Sequence, residues 1–162
     1  MRPSQLRGPH LRTFNVAECI GSTGEHTHDR RARTTMADHP RVTVDEAIMQ
    51  RMREICAPLP EAVEGEVFGA PTFRIREKNF AMVRRPEERT AVWCKAAPGF
   101  QDAIIGRDPD RYYAPPYVGP KGWIGAWLDD DAGPDWDEIE EIVIASYRLI
   151  APKRLVARLD PA

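Results

Sequence analysis

Between Pro71 and Lys95, apolar and polar residues alternate in three runs, and the gaps between them hold little more than a turn. Phe73 and Ile75 alternate with Thr72, Arg74 and Arg76. Glu77-Lys78-Asn79 intervenes, and Phe80 and Met82 then alternate with Ala81 and Val83. Arg84–Thr90 turns the chain into Thr90–Lys95, where Val92 and Cys94 oppose Trp93 and Lys95. Parallel strands need a crossover of a dozen or more residues, so this spacing admits only an antiparallel meander. The period of two also assigns faces: one is apolar, and the other carries arginines and a tryptophan.

Helical periods flank the meander. Thr43 with Glu46 reads as a capping box ahead of Val44, Ile48, Met52, Ile55 and Leu59, which recur at three- and four-residue steps. Pro58 and Pro60 end that helix, and Glu61–Phe68 reads as an acidic loop with a short extended piece. Pro98 suits the first position of a short helix whose stripe is Phe100, Ala103 and Ile104, stopped at Gly106. Gly119-Pro120-Lys121-Gly122 is the turn of a second hairpin, and Pro115 and Pro116 confine its first strand to an edge. In its second strand Ile124, Ala126 and Leu128 share one face, with Trp123 and Trp127 on the other. Asp135 caps a last helix with Trp136, Ile139, Val143 and Ile150 on one stripe. The expected fold is α+β: a two-layer sandwich with an antiparallel sheet of about five strands, a three-stranded meander plus a hairpin, and N- and C-terminal helices on one face.

Residues 37–162 are expected to form this single domain. Residues 1–36 are read as a disordered tail or an over-long start, since Met36 is followed by a natural protein beginning and the first 35 residues hold six basic and three acidic side chains with no period. All four histidines (His10, His26, His28, His39) precede the domain, so Ser-His-Asp and Cys-His catalysis are unavailable within it. Cys19, Cys56 and Cys94 form no CxxC pair, which suggests reduced thiols in a cytoplasmic protein and no zinc site. No apolar run approaches the ~18 residues of a membrane span. No cofactor is expected.

Several stretches together resemble the MmcQ/YjbR family. They are F-G-x-P-T-F at Phe68–Phe73, K-x-F-A at Lys78–Ala81, G-W at Gly122–Trp123 and S-Y-R-L at Ser146–Leu149. The likeness runs from about Met52 to Leu159. It implies a frataxin-like fold whose two β-hairpins form a double wing, and a DNA-binding label that leans on fold analogy. It implies no catalytic residue.

Charge sorts along the chain. Residues 67–128 hold 10 basic and 6 acidic side chains, whereas residues 37–66 hold 3 and 7 and residues 129–162 hold 4 and 9. A basic sheet between acidic helices points to nucleic acid as partner, with phosphate contacts from Arg74, Arg76, Lys78, Arg84, Arg85, Lys95 and Lys121 and stacking by Trp93. The bland alternative is a solvated sheet face. A second function is a protein- or small-molecule-binding module around Tyr113, Tyr117, Trp123 and Trp127. The acidic run from Asp129 to Glu141 suits a turn and a helix start, where the macrodipole favours carboxylates, as well as a loose cation ridge. The expectation carried forward is a non-enzymatic binding domain.

Overall fold

The computed structural model describes residues 40–160. The reading of residues 1–36, with Cys19 and the four histidines, lies outside them. The described elements are α1 (Glu46–Cys56), β1 (Ala62–Val67), β2 (Ala70–Ile75), β3 (Lys78–Arg84), β4 (Ala91–Lys95), α2 (Phe100–Arg107), β5 (Tyr112–Tyr113), β6 (Trp123–Trp127), α3 (Trp136–Ile150) and α4 (Lys153–Val156). The strands form one antiparallel sheet in the order β1-β2-β3-β4-β6-β5. This is the expected α+β sandwich, with six strands rather than five.

The additional strand is β1, which fills the Glu61–Phe68 stretch expected as a loop with a short extended piece. Its acids obscure it, because Glu64 and Glu66 lie on the helix side of the strand while Val63 faces outward and is 50% exposed. An apolar residue turned to water gives no core signal. The strand is held by its turn: Phe68 and Gly69 both have positive φ (51° and 76°), the requirement of a two-residue type I′ hairpin. Gly69 is needed twice over, because a Cβ there would sit 2.4 Å from the Pro40 carbonyl oxygen.

α1 and α3 cover one face. α1 buries Met49, Met52, Ile55 and Cys56, so Val44 and Ile48 fall at the margin of the expected stripe, half-buried. Its cap is Asp45, not Thr43: the Asp45 carboxylate accepts from the Ala47 and Ile48 amides. Thr43 lies three residues before the first helical position, out of reach of those amides. Asp135 caps α3 as expected, accepting from the Asp137 and Glu138 amides. α2 begins at Phe100 after Gly99 in the left-handed region, later than Pro98 suggested, and buries only Ile104 while Phe100 stays 42% exposed. No helix among the described residues is long and apolar enough to cross a membrane.

One irregularity organises the centre of the sheet. Phe73 pairs with Ala81 but Arg74 pairs with Asn79, so Phe80 is an extra residue in β3. This β-bulge turns Phe80 and Ala81 together into the core and leaves Met82 on the outer face, bridged to Asn79 by an Nδ2–Sδ contact of 3.9 Å. Strict alternation would have grouped Phe80 with Met82. The β3–β4 ladder ends at Ala81 and Cys94, and beyond that pair Ser146 of α3 bridges the two strands. Its hydroxyl donates to the Phe80 carbonyl (2.6 Å) and accepts from the Lys95 amide (2.9 Å). Beside it Tyr147 meets the Phe80 ring edge-on at 5.5 Å and donates to the Pro60 carbonyl (2.7 Å).

Candidate nucleic-acid interface

The face of the sheet opposite α1 and α3 is built by the residues that alternate away from the core. From β1 to β6 it presents Val63 and Gly65, Thr72 and Arg74, Asn79, Met82 and Arg84, then Trp93 and Lys95, then Trp123, Gly125 and Trp127. Tyr113 of β5 pairs with Gly125 and lies across it. A Cβ at position 125 would come within 2.4 Å of the Tyr113 ring, so only glycine leaves room for that ring to lie flat.

The aromatic side chains form a connected layer. The Trp93 indole N–H donates to the Tyr113 hydroxyl (2.7 Å), and the Tyr113 ring stacks on Trp127 with centroids 4.5 Å apart. Arg89 covers Trp127 at 4.0 Å and donates two hydrogen bonds to Asp129, each of 3.1 Å. Arg84 sits 5.8 Å from the Trp93 ring centroid. Burial pushes the Tyr113 phenol pKa well up, so its hydroxyl stays protonated. Trp127 is therefore sandwiched and serves packing, whereas Trp93 and Trp123 are half-buried on the open face. Arg89 was not singled out from the sequence. Only its pairing with Asp129, forty residues on, reveals its role.

The expected basic residues separate into groups. Arg74, Arg84 and Lys95 lie on the open face, and Lys95 is opposite Trp123 in the register. Lys78 opens β3, and Lys121 lies in a 3-10 turn (Gly119–Lys121) at the same end of the sheet. Among the described residues Arg74, Lys78, Lys95 and Lys121 have no acidic partner within 4.0 Å. The Arg74 Nε is shielded from water with no hydrogen-bond partner. Arg76 leaves the strand: it sits in the β2–β3 turn at φ 55° and pairs with Glu61 at 3.9 Å. Arg85 is on the wrong side for the sheet face. Adjacent residues of a strand point oppositely, so beside Arg84 it turns to the helices and donates to the Thr43 carbonyl (3.1 Å).

Tyr113, Tyr117, Trp123 and Trp127 do not line one pocket. Tyr113 and Trp127 stack on each other, Trp123 stands at the opposite end of β6, and Tyr117 is exposed in the loop at φ 70°. A cleft of about 520 Å³ opens instead on the helix side, lined by Ile48, Arg51, Arg85, Leu128, Asp129 and Trp136 among others. Its rim includes Glu88, which with Glu87 forms two successive non-glycine residues at positive φ (64° and 55°).

The acidic run into α3 is engaged locally. Asp129 holds Arg89 and the Ala132 amide, and Glu138 accepts from the Tyr112 hydroxyl (2.5 Å) and from Arg107. These bonds hold the Glu138 carboxyl below the usual carboxylate range, the Tyr112 hydroxyl contributing most. Among the described residues no group of three or more His, Cys, Asp or Glu is placed to hold a metal ion. Cys56 and Cys94 are buried free thiols whose pKa values burial pushes far up.

Comparison with known proteins agrees with this architecture. The chain is similar in structure to Deinococcus radiodurans protein DR2400, a DUF419 domain, with a TM-score of 0.53 and 18% identity over 62% of this chain and 76% of that one. No curated protein matches it. The YjbR family model matches residues 57–149, a span that contains the type I′ turn, the bulge, the aromatic layer and the Ser146 bridge. The chain belongs to the YjbR family.

Proposed function

We propose that the protein is a non-enzymatic, cytoplasmic binding domain that holds single-stranded nucleic acid weakly on the open face of its sheet. The observation that carries this reading is the company kept by the cations there. Lys95 stands without an acidic partner beside half-buried Trp93 and Trp123, and Arg74, also without one, lies on the same face two strands away, while the acid-rich helices occupy the opposite face. Guanidinium and ammonium groups beside aromatic rings on a sheet suit a phosphate backbone with unstacked bases. Lys121, at the same end of the sheet as Lys95, extends the path for phosphates, whereas Lys78 pairs with Ile75 and turns to the helix side. Trp93 and Trp123 supply the stacking surfaces, each stacked base contributing roughly 1–3 kcal/mol. Arg76 and Arg85 take no part.

The test is fluorescence anisotropy of labelled single- and double-stranded oligonucleotides across a salt series. Log affinity for the single strand should fall linearly with log salt. Lys95→Glu and Lys121→Glu, both at exposed positions, should weaken binding, and Lys95→Ala should reduce the salt slope by about one. Absence of binding at low salt would refute the reading.

A second reading is small-molecule binding in the helix-side cleft, in place of the aromatic hairpin. It is favoured by the cleft's lining, where Arg51 and Trp136 stand with Ile48 and Leu128, and by Glu88 at positive φ on its rim. Quenching of Trp136 fluorescence by a ligand, abolished in Arg51→Ala, would support it over the sheet face; ligands that leave Trp136 emission unchanged would retire it.

A further inference from the structure

We propose that β1 is a self-association edge: two copies of the chain pair their Ala62–Val67 strands antiparallel about a two-fold axis at Gly65, joining their sheets into one. The two edges of the sheet differ in kind. β5 is two residues long and is followed by Pro115 and Pro116, which cannot donate to a ladder, so that edge is blunted. β1 is six residues long with no proline, every residue is exposed or half-exposed, and no described strand lies beyond it.

The backbone is arranged to accept a partner. In an antiparallel ladder alternate residues direct both polar groups to the neighbouring strand and the intervening ones direct theirs away. The two-residue turn after Val67 makes Val63, Gly65 and Val67 the residues bonded to β2, so Ala62, Glu64 and Glu66 face outward. In keeping with this, the Ala62 amide donates to the Leu59 carbonyl and not to β2. That leaves the N–H and C=O groups of Glu64 and Glu66 as the edge.

Self-pairing centred on Gly65 sets Glu64 of each copy opposite Glu66 of the other. The two outward-facing residues then satisfy each other, with four backbone hydrogen bonds across the axis. The same register sets Val63 opposite Val67 twice on the open face, covering the most exposed large apolar side chain of the described residues. A slip of two residues would set a valine against Gly65, and a slip of one would reverse the faces. The like charges brought together on the helix side are already balanced within each copy. Arg53 donates to Glu64 at 2.9 Å, and Arg41 lies 3.8 Å from Glu66. A closed two-fold contact of this kind ends at the dimer, because the described residues of each copy offer one such edge.

The experiment is sedimentation equilibrium of the full chain over a wide concentration series, with amide hydrogen exchange read at the extremes. The expected result is reversible growth from 18.4 kDa to twice that mass, with Glu64 and Glu66 amides exchanging more slowly at high concentration. Val63→Lys, at a half-exposed site, should weaken association roughly tenfold or more while the circular dichroism is unchanged. Should that variant fail to fold, Val67→Lys carries the same test. A wild-type protein that stays monomeric throughout overturns the proposal. So does a dimer that survives the lysine substitution with no added protection at Glu64 and Glu66, since its interface lies elsewhere.

Discussion

Replacing Ser146 by alanine should open the middle of the sheet. The Ser146 hydroxyl is fully buried and joins the Phe80 carbonyl to the Lys95 amide just beyond the last β3–β4 pair, Ala81 and Cys94. Alanine removes one oxygen and orphans two backbone groups at once. Each buried unsatisfied group costs about 1–3 kcal/mol, so the expected loss is roughly 2–6 kcal/mol, a large part of a domain's ordinary 5–15. Urea denaturation followed by tryptophan emission measures the loss, and native-state exchange locates it: the Lys95 amide should lose protection before its neighbours in β4. A cost below about 0.5 kcal/mol with Lys95 still protected would refute the reasoning, because it would mean that the strands close on each other and the bulge needs no bridge.

Gly125→Ala should be destabilising by about 1–3 kcal/mol, because the new methyl group must displace the Tyr113 ring from 2.4 Å and break both the Trp93 bond and the Trp127 stack. A red-shifted tryptophan emission would report that displacement, and wild-type stability with unchanged emission would contradict it. Glu138→Gln should cost stability near neutral pH. The wild-type carboxyl is held below its ordinary value of 4.5 by Tyr112 and Arg107. A lowered folded-state pKa stabilises the fold above the unfolded value, and that contribution is lost as pH falls through the folded one. The gap between wild type and variant should therefore narrow on acidification below about 4.5, and a gap independent of pH would show that charge is not what Tyr112 responds to.

Much of this architecture was legible because a period of two or 3.6 is a statement about faces. Trp93 and Lys95 lie outward and Val92 and Cys94 inward as alternation requires, and Ile139 and Val143 lie on the buried side of α3. The reading failed where a residue's role was set by a partner distant in sequence. β1 was missed because its acids face Arg53 and Arg41 and its exposed valine faces water. Arg85 was grouped with Arg84 on charge alone, although one step along a strand reverses the face. Arg76 was placed in a strand that had already turned.

The motifs behind the family resemblance divide in the same way. F-G at Phe68-Gly69 forms the type I′ turn, where glycine tolerates the positive φ, but that turn shows only once β1 is paired with β2. K-x-F-A and S-Y-R-L say nothing separately. Only in the folded chain does the Phe80 bulge meet Ser146 and Tyr147, sixty-six residues apart in the case of the hydroxyl bridge. Local periodicity determined the elements and the side each presents, because those depend on near neighbours. The additional strand, the bulge and its bridge, the aromatic layer over Gly125 and the choice of unpaired cations were decided by tertiary structure. Each is a contact between groups that the chain brings together only after the sheet has closed.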